Sequence, residues 1–337
     1  MNILVTGAAG LLGGELCKLL RDAGHGVTGL VHSNPAIRAN DGSIVDVPTC
    51  KGDVSAAQFG WSDDYFGEVA RTHDLLIHCA ATVRFDLDDA DYAAVNVGGV
   101  RNALALAETG GMDFLHVSTA YVCGARDGRI AEDDPLPDTG FANGYERSKA
   151  KGERLVRDSS VRWAIARPSI VVGEHKSGEI RQFDTTYAAF KLIAEGRVRH
   201  MPARDGATLD FVPLDHVARG IVELAERMET AAGGTYHLVS AQPLPVQDFA
   251  DAIGSFSHFY RPNLAAPEAF DPTSLPPLER RLYRRVAGLY ASYFQRDPHF
   301  DDSAWRALGG QPCPPTDPDF IRRLIDYCIR AGFLPAA

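Results

Sequence analysis

The sequence predicts an α/β fold, a doubly wound parallel sheet with a smaller, mainly helical C-terminal domain. Two observations carry this. The chain opens on an apolar run of strand length, Asn2-Ile3-Leu4-Val5, and turns at once into a helical pattern of Leu11, Leu12, Leu16, Leu19 and Leu20. Strand-like runs at Val27–Val31, Asp74–Ala81, Phe114–Ser118 and Val161–Arg167 then alternate with helical segments. Such alternation implies parallel strands joined by right-handed crossovers. From about Val171 the alternation fails. Residues 174–207 read as loop-rich and helical, with short strands at Leu209–Leu214 and Tyr236–Val239 around a helix near 216–228. The expected division is a sheet domain over 1–173, completed by about 208–240, and a substrate-binding cap from 174–207 and 241–337. The cap should sit over the carboxyl ends of the strands, where open α/β sheets bind ligands.

Composition narrows the function classes. The 337 residues are 45% apolar and 23% charged, as in an ordinary globular protein. A net charge of -10 argues against nucleic acid as a partner. Six scattered cysteines form no CxxC pair, which suits reduced thiols in a cytoplasmic protein. His25, His200, His216, His237 and His299 show no ligand spacing, so no metal is expected. A strand beginning at residue 2 leaves no room for a signal peptide, and no apolar run has transmembrane length.

Between the first strand and helix, Gly7, Gly10 and Gly13 recur at every third position. Gly7 allows the tight turn, Gly10 lets backbone approach a pyrophosphate, and Gly13 lets the helix lie close to the strand. The helix N-terminus at Leu11 and Leu12 then offers N–H groups to the phosphates. This Rossmann-type turn predicts a dinucleotide. After the second strand, Val31, His32 and Ser33 supply no carboxylate for a ribose 2′-OH, whereas Arg38 could meet a 2′-phosphate. NADP(H) is therefore expected over NAD(H). Asp53 and Val54, after a short strand around Ile44–Val47, are candidates for the adenine. The small residues Cys79-Ala80-Ala81 would let the cofactor pass close to a strand end, and Asn96 precedes the Gly98-Gly99 pair that opens a helix.

Ser118-Thr119 ends a strand, and Tyr145 and Lys149 stand four apart at the start of the next helix, sharing one face. A neighbouring ammonium stabilises a phenolate; bringing a tyrosine from about 10 to about 7 takes roughly 4 kcal/mol. The Thr119 and Tyr145 hydroxyls could together hold a carbonyl oxygen for hydride attack and supply its proton. A second copy of the spacing, Tyr187-Lys191, lies in the expected cap, so Tyr187 reads as a packing or pocket residue.

Thr6-Gly7-x-x-Gly10-x-x-Gly13, Asp53, His78-x-Ala80-Ala81, Asn96, Ser118-Thr119, Tyr145-x-x-x-Lys149 and Arg167-Pro168 occur in that order. Together they resemble the extended short-chain dehydrogenase/reductase superfamily over most of the first 240 residues. The resemblance implies Thr119, Tyr145 and Lys149 as catalytic trio, Lys149 also on the nicotinamide ribose, and Pro168, Ser169, Ile170 and Val171 at the nicotinamide end. Ala80–Asp86, His116–Val122 and Asn143–Glu153 are similar to fatty acyl-CoA reductases and thioester reductases. That likeness implies reduction of an acyl group on CoA or a carrier protein to aldehyde or alcohol, with Thr82, Arg84, Tyr121 and Tyr187 as substrate candidates. Relatives also suggest a homodimer through helices flanking Tyr145.

Other readings on the same trio are a carbonyl reductase or alcohol dehydrogenase, and a sugar-nucleotide epimerase. Ala120-Tyr121 after the threonine argues against a dehydratase, and the retained Tyr/Lys pair argues against a non-catalytic NAD(P) sensor. Leu278–Tyr290 reads as a basic amphipathic helix whose apolar side, Leu282, Val286, Leu289 and Tyr293, packs on its own domain; a membrane surface or a carrier protein is the alternative partner. Asp210 to Asp215 is expected to cap the helix near His216.

Overall fold

The computed structural model describes residues 1–337, the side chain of Thr185 excepted. Its frame is a parallel sheet of β1 (Asn2–Thr6), β2 (Gly26–Val31), β3 (Thr49–Lys51), β4 (Leu75–His78), β5 (Asp113–Val117), β6 (Trp163–Pro168) and β7 (Thr235–Leu238). The spatial order is β7-β6-β5-β4-β1-β2-β3. The order reverses between β1 and β4, and a crevice opens there at the carboxyl ends of the strands.

Side chains alternate across the sheet and build a core on each face. Ile3, Val5, Leu75, Ile77, Leu115 and Val117 pack with Leu16, Cys17 and Leu20 of α1 (Leu11–Asp22) and with Val217, Ile221 and Leu224 of the helix Leu214–Glu226. Leu4, Leu76, Phe114 and Ile165 face the other way, onto Phe66 and Val69 of α2 (Asp63–Thr72), Val100 and Leu104 of α3 (Gly99–Gly110), and Val156 of α4 (Gly144–Arg157). Another apolar cluster joins Tyr187, Ile193, Met201, Phe249, Tyr283, Phe294 and Phe320 above the strand ends.

Four sequence expectations are corrected. Ile44–Val47 is not a strand: residues 37–45 fold back on themselves, with Val45 N–H donating to Ile37 O, and Ile44 makes an isolated bridge to Arg38. The sheet edge starts only after Pro48. The run Leu209–Leu214 splits at Asp210, so that Thr208–Leu209 pairs with Leu244–Pro245 and Phe211–Pro213 with Ile170–Val172. Asp210 caps no helix. It is buried, accepting from Ser169 Oγ at 2.5 Å and Ser240 N–H at 2.8 Å, and burial pushes its carboxyl up to about 7. The basic helix runs only Pro277–Arg285 and breaks at Val286. Its buried residues are Glu279, whose carboxylate accepts from the N–H groups of Arg199 and His200, and Tyr283; Ala287 and Tyr290 are buried in the separate turn that follows, and Leu282, Val286 and Leu289 lie at the margin.

Candidate active site

The glycine turn is a cradle that side chains could not share. Gly7 has φ +70°, and a Cβ there would lie 2.8 Å from the Ala80 nitrogen. A Cβ on Gly13 would lie 2.1 Å from the Gly7 carbonyl oxygen. Gly10 N–H donates to that same oxygen at 2.9 Å and closes the turn. No side chain caps α1 at Gly10, so its first N–H groups and positive dipole end face the crevice. Thr6 Oγ1 accepts from Ala80 N–H at 3.2 Å and bonds His78 Nδ1 at 2.9 Å, pinning β1 to β4 beneath the turn. These residues fit a dinucleotide pyrophosphate.

At the other side of the crevice, α4 presents the tyrosine and lysine. Asn143 Oδ1 accepts from Glu146 N–H at 2.9 Å, and Glu146 Oε2 accepts from Ala142 N–H at 3.1 Å, a reciprocal cap that sets the first turn carrying Tyr145. One turn later, Lys149 Nζ donates to Val117 O at 2.7 Å. Burial pulls the Lys149 ammonium down to about 8, partly offset by Cys79 and Glu153. Burial, and next the Glu146 charge, push the Tyr145 phenol above its ordinary value. The Thr119 hydroxyl acts to lower the Tyr145 phenol, against these stronger effects. Behind Lys149, His78 and His116 stack at 5.7 Å, and burial, with the lysine charge, holds both neutral.

A cleft of about 510 Å³ joins these parts. Of the sequence-derived candidates, it is lined by Gly7, Gly10, Leu11, Leu12, Gly13, Cys79, Ala80, Ala81, Thr119, Tyr121, Tyr145, Lys149, Pro168, Ser169, Ile170, Val171 and Tyr187. Others lie outside the lining. Asn96 is buried in a π-helical turn, where it donates to Ser148 Oγ at 2.9 Å and accepts from Thr82 N–H at 2.8 Å, tying the 82 loop to α4. Asp53 Oδ1 is taken by the N–H and hydroxyl of Ser55, and His32 stands 3.9 Å from Asp53 Oδ2 on the surface. Val54 packs toward Gly99, and its carbonyl accepts from Asn102. Ser33 is exposed. The Arg38 side chain donates to Gly42 O, and its own carbonyl packs where a Cβ on Gly14 would sit. Thr82 is bound through its backbone to Asn96, and Arg84 pairs with Asp86 at the surface.

Sequence reasoning missed several residues of the site. Phe85 lines the cleft with its ring 5.5 Å from Tyr145 and 5.0 Å from Tyr290. Arg296 bonds the Glu146 carboxylate and lies over the rings of Tyr121 and Tyr293 at 4.7 and 5.0 Å. Arg181 donates to Gly10 O at 3.0 Å; burial and the Arg38 charge both lower it. Asn40 clamps this strap, accepting from Arg181 N–H at 3.0 Å and donating to Glu179 O at 2.9 Å. The aromatic spacing at Tyr290 and Tyr293 was a visible signal; Arg181, Arg296 and Asn40 carry none in their own surroundings.

With this geometry in hand, likeness to known proteins decides the family. The sequence profile described as male sterility protein, an NAD-binding family, matches residues 5–221. The chain belongs to this family. It is an extended short-chain dehydrogenase/reductase of the thioester reductase-like group. The chain is 29% identical over 273 residues to glycine betaine reductase ATRR of Emericella nidulans, covering 72% of this chain and 21% of that one. It thus spans about a fifth of that relative's length. Against the probable low-salt glycan biosynthesis reductase Agl14 of Haloferax volcanii, identity is 30% over 260 residues, covering 75% and 79%. The solved terminal R domain from the myxalamid PKS-NRPS biosynthetic pathway superposes with a TM-score of 0.84 at 27% identity, covering 99% of this reductase and 92% of that domain. No helix among the described residues is long and apolar enough to cross a membrane.

Proposed function

We propose that this reductase converts an acyl thioester to the aldehyde at the expense of NADPH, with Tyr145 as proton donor. The observation that carries the reading is that Tyr145 lines the cleft together with Thr119 and with Lys149 one helical turn further on. A tyrosine is protonated at neutral pH and so has a proton to give, as the reductive direction requires. The first-turn N–H groups of α1 with Gly7, Gly10 and Gly13 would hold the pyrophosphate; Cys79, Ala80, Ala81, Lys149 and Pro168–Val171 line the nicotinamide side. The bound dinucleotide supplies the hydride.

Thr119 and Tyr145 orient the thioester carbonyl between them. As hydride reaches the carbonyl carbon, Tyr145 gives its proton to the oxygen, forming a hemithioacetal. Lys149, held by Val117 O, keeps a positive charge beside the tyrosinate that is left. The hemithioacetal then collapses: its C–S bond breaks, the C=O bond re-forms, and the hydroxyl proton passes to the departing sulfur, giving aldehyde and thiol. The residues 174–207 and 241–337 serve as the cap that receives the acyl group.

The preference for NADPH rests on two guanidinium groups. Arg181 at Gly10 and Arg38 beside α1 repel one another, and an added phosphate would relieve that repulsion. No carboxylate stands at the end of β2 to bind a ribose 2′-OH.

The test follows NADPH oxidation and thiol release together with an acyl-CoA. Equal rates of both are expected. Oxidation with simple ketones or aldehydes, and no thiol from any thioester, would leave a carbonyl reductase on the same trio.

A further inference from the structure

The segment Pro168–Val171 is held from behind by one residue. Ile170 N–H donates to the Asp210 carbonyl at 3.0 Å, and Ser169 Oγ meets Asp210 Oδ1 at 2.5 Å. Leu209 and Phe211 line the cleft on either side of Asp210 in the chain, whereas Asp210 turns the other way and stays out of the lining. The same Oδ1 accepts from Ser240 N–H at 2.8 Å, and Ser240 Oγ bonds Thr316 Oγ1 at 2.6 Å behind it. Asp210 is 2% exposed, and its second oxygen, Oδ2, is buried with no partner among the described residues. A buried carboxylate oxygen left unpaired lowers stability, and an apolar side chain in that place would spare the loss. Stability therefore does not account for this carboxylate.

The bond to Ser169 has a direction. A carboxylate only accepts, so the Ser169 hydroxyl gives its one proton to Oδ1. Its lone pairs are what remains for the cleft, which Ser169 lines. Whatever meets Ser169 there has to be a donor. We infer that Asp210 is a positioning residue, fixing the Ser169 hydroxyl as the acceptor for the amino group of the nicotinamide carboxamide. The inference rests on the proposed nicotinamide position along Pro168–Val171. Of the two ends of a carboxamide, only the amino group donates, and its carbonyl oxygen is left to other groups. A ring held in this way cannot turn over about its glycosidic bond, so one face of it meets the carbonyl at Thr119 and Tyr145.

Isothermal titration calorimetry at pH 8, on the ionised side of the Asp210 carboxyl, compares the affinity of the full chain for NADPH and for its reduced 3-acetylpyridine analogue. The analogue keeps the carbonyl and carries a methyl in place of the amino group. Wild type should bind NADPH about fivefold more tightly, the scale of one neutral hydrogen bond. Ser169→Ala should bring the two affinities together. Asp210→Ala should do the same, because the freed hydroxyl can then donate to the carbonyl oxygen that both ligands share. Asp210→Asn should keep the preference, since an amide oxygen accepts from Ser169 and Ser240 as the carboxylate does. Should Asp210→Ala fail to fold, Ser169→Ala and Asp210→Asn decide. A preference that survives Ser169→Ala, or one that Asp210→Asn abolishes, would overturn the inference. So would an Asp210→Ala protein that binds both ligands more weakly in an unchanged ratio, the mark of a merely structural role. Equal affinities in wild type would overturn the carboxamide contact alone. Failure of wild type to bind either dinucleotide would overturn the cofactor reading with it.

Discussion

Arg296 closes on Glu146, the residue that follows Tyr145, from 150 positions further along the chain. Both side chains are nearly out of water, at 6% and 0% exposure, and Arg296 also donates to Gly124 O at 3.0 Å. Glu146 is at the same time part of the cap that sets the first turn of α4. The far end of the chain therefore holds the turn on which Tyr145 sits. Removing one partner strands a buried charge, which costs about 3–5 kcal/mol. Arg296→Ala should lower stability by that order in urea unfolding and reduce kcat more than it raises KM for NADPH. Stability within error of wild type would show that the pair contributes nothing.

Tyr145→Phe removes the donor and keeps the ring against Phe85. Turnover should fall by about 10²–10⁴, the usual contribution of a positioned acid. NADPH binding, read by its fluorescence, should stay within a factor of about two. Turnover that survives the substitution would rule out the phenol as proton source.

The pH profile follows from Lys149. Burial pulls its ammonium down to about 8, so the charged form prevails below that pH and is lost as pH rises through it. Activity that needs the cation beside Tyr145 should therefore decline on the alkaline side of about 8, while the raised phenol remains protonated over the same range. Lys149→Arg, whose guanidinium does not lose its proton, should be slower and should lack that alkaline limb. An unchanged limb in the variant would assign the titration to another group.

Under the proposed NADPH preference, Arg181 is the residue expected to separate the two cofactors. Its contact with Gly10 O lies at the phosphate end of the turn. Arg181→Ala should raise KM for NADPH about tenfold, the scale of one hydrogen bond to a charged group, and leave KM for NADH nearly as it was. Equal losses for both cofactors would mean that the strap shapes the turn and does not read the 2′-phosphate.

Much of the sheet could be read in one dimension because its signals are local. The apolar run before Thr6, the glycines at Gly7, Gly10 and Gly13, and the four-residue step from Tyr145 to Lys149 each lie within one turn or one strand. Edges were harder. Ile44–Val47 has the composition of a strand, but hydrogen bonds between residues 37 and 45 close it into a loop, and pairing with β2 waits until Thr49. In the C-terminal third, Glu279 is buried where an apolar stripe through Leu282 and Val286 was expected, since backbone N–H groups from residues 199 and 200 come to meet its carboxylate.

By itself, the sequence determined the parallel α/β frame, the dinucleotide turn and the Thr119, Tyr145 and Lys149 constellation. Only the tertiary structure decided which strap grips the turn, what wall faces the tyrosine and which charges surround it. Arg181 reaches Gly10 across 171 positions, and Phe85 meets Tyr290 through folding alone. The physical reason is range: periodicity and turn chemistry act over a few residues, whereas desolvation and ion pairing depend on whatever the fold brings into the same few ångströms.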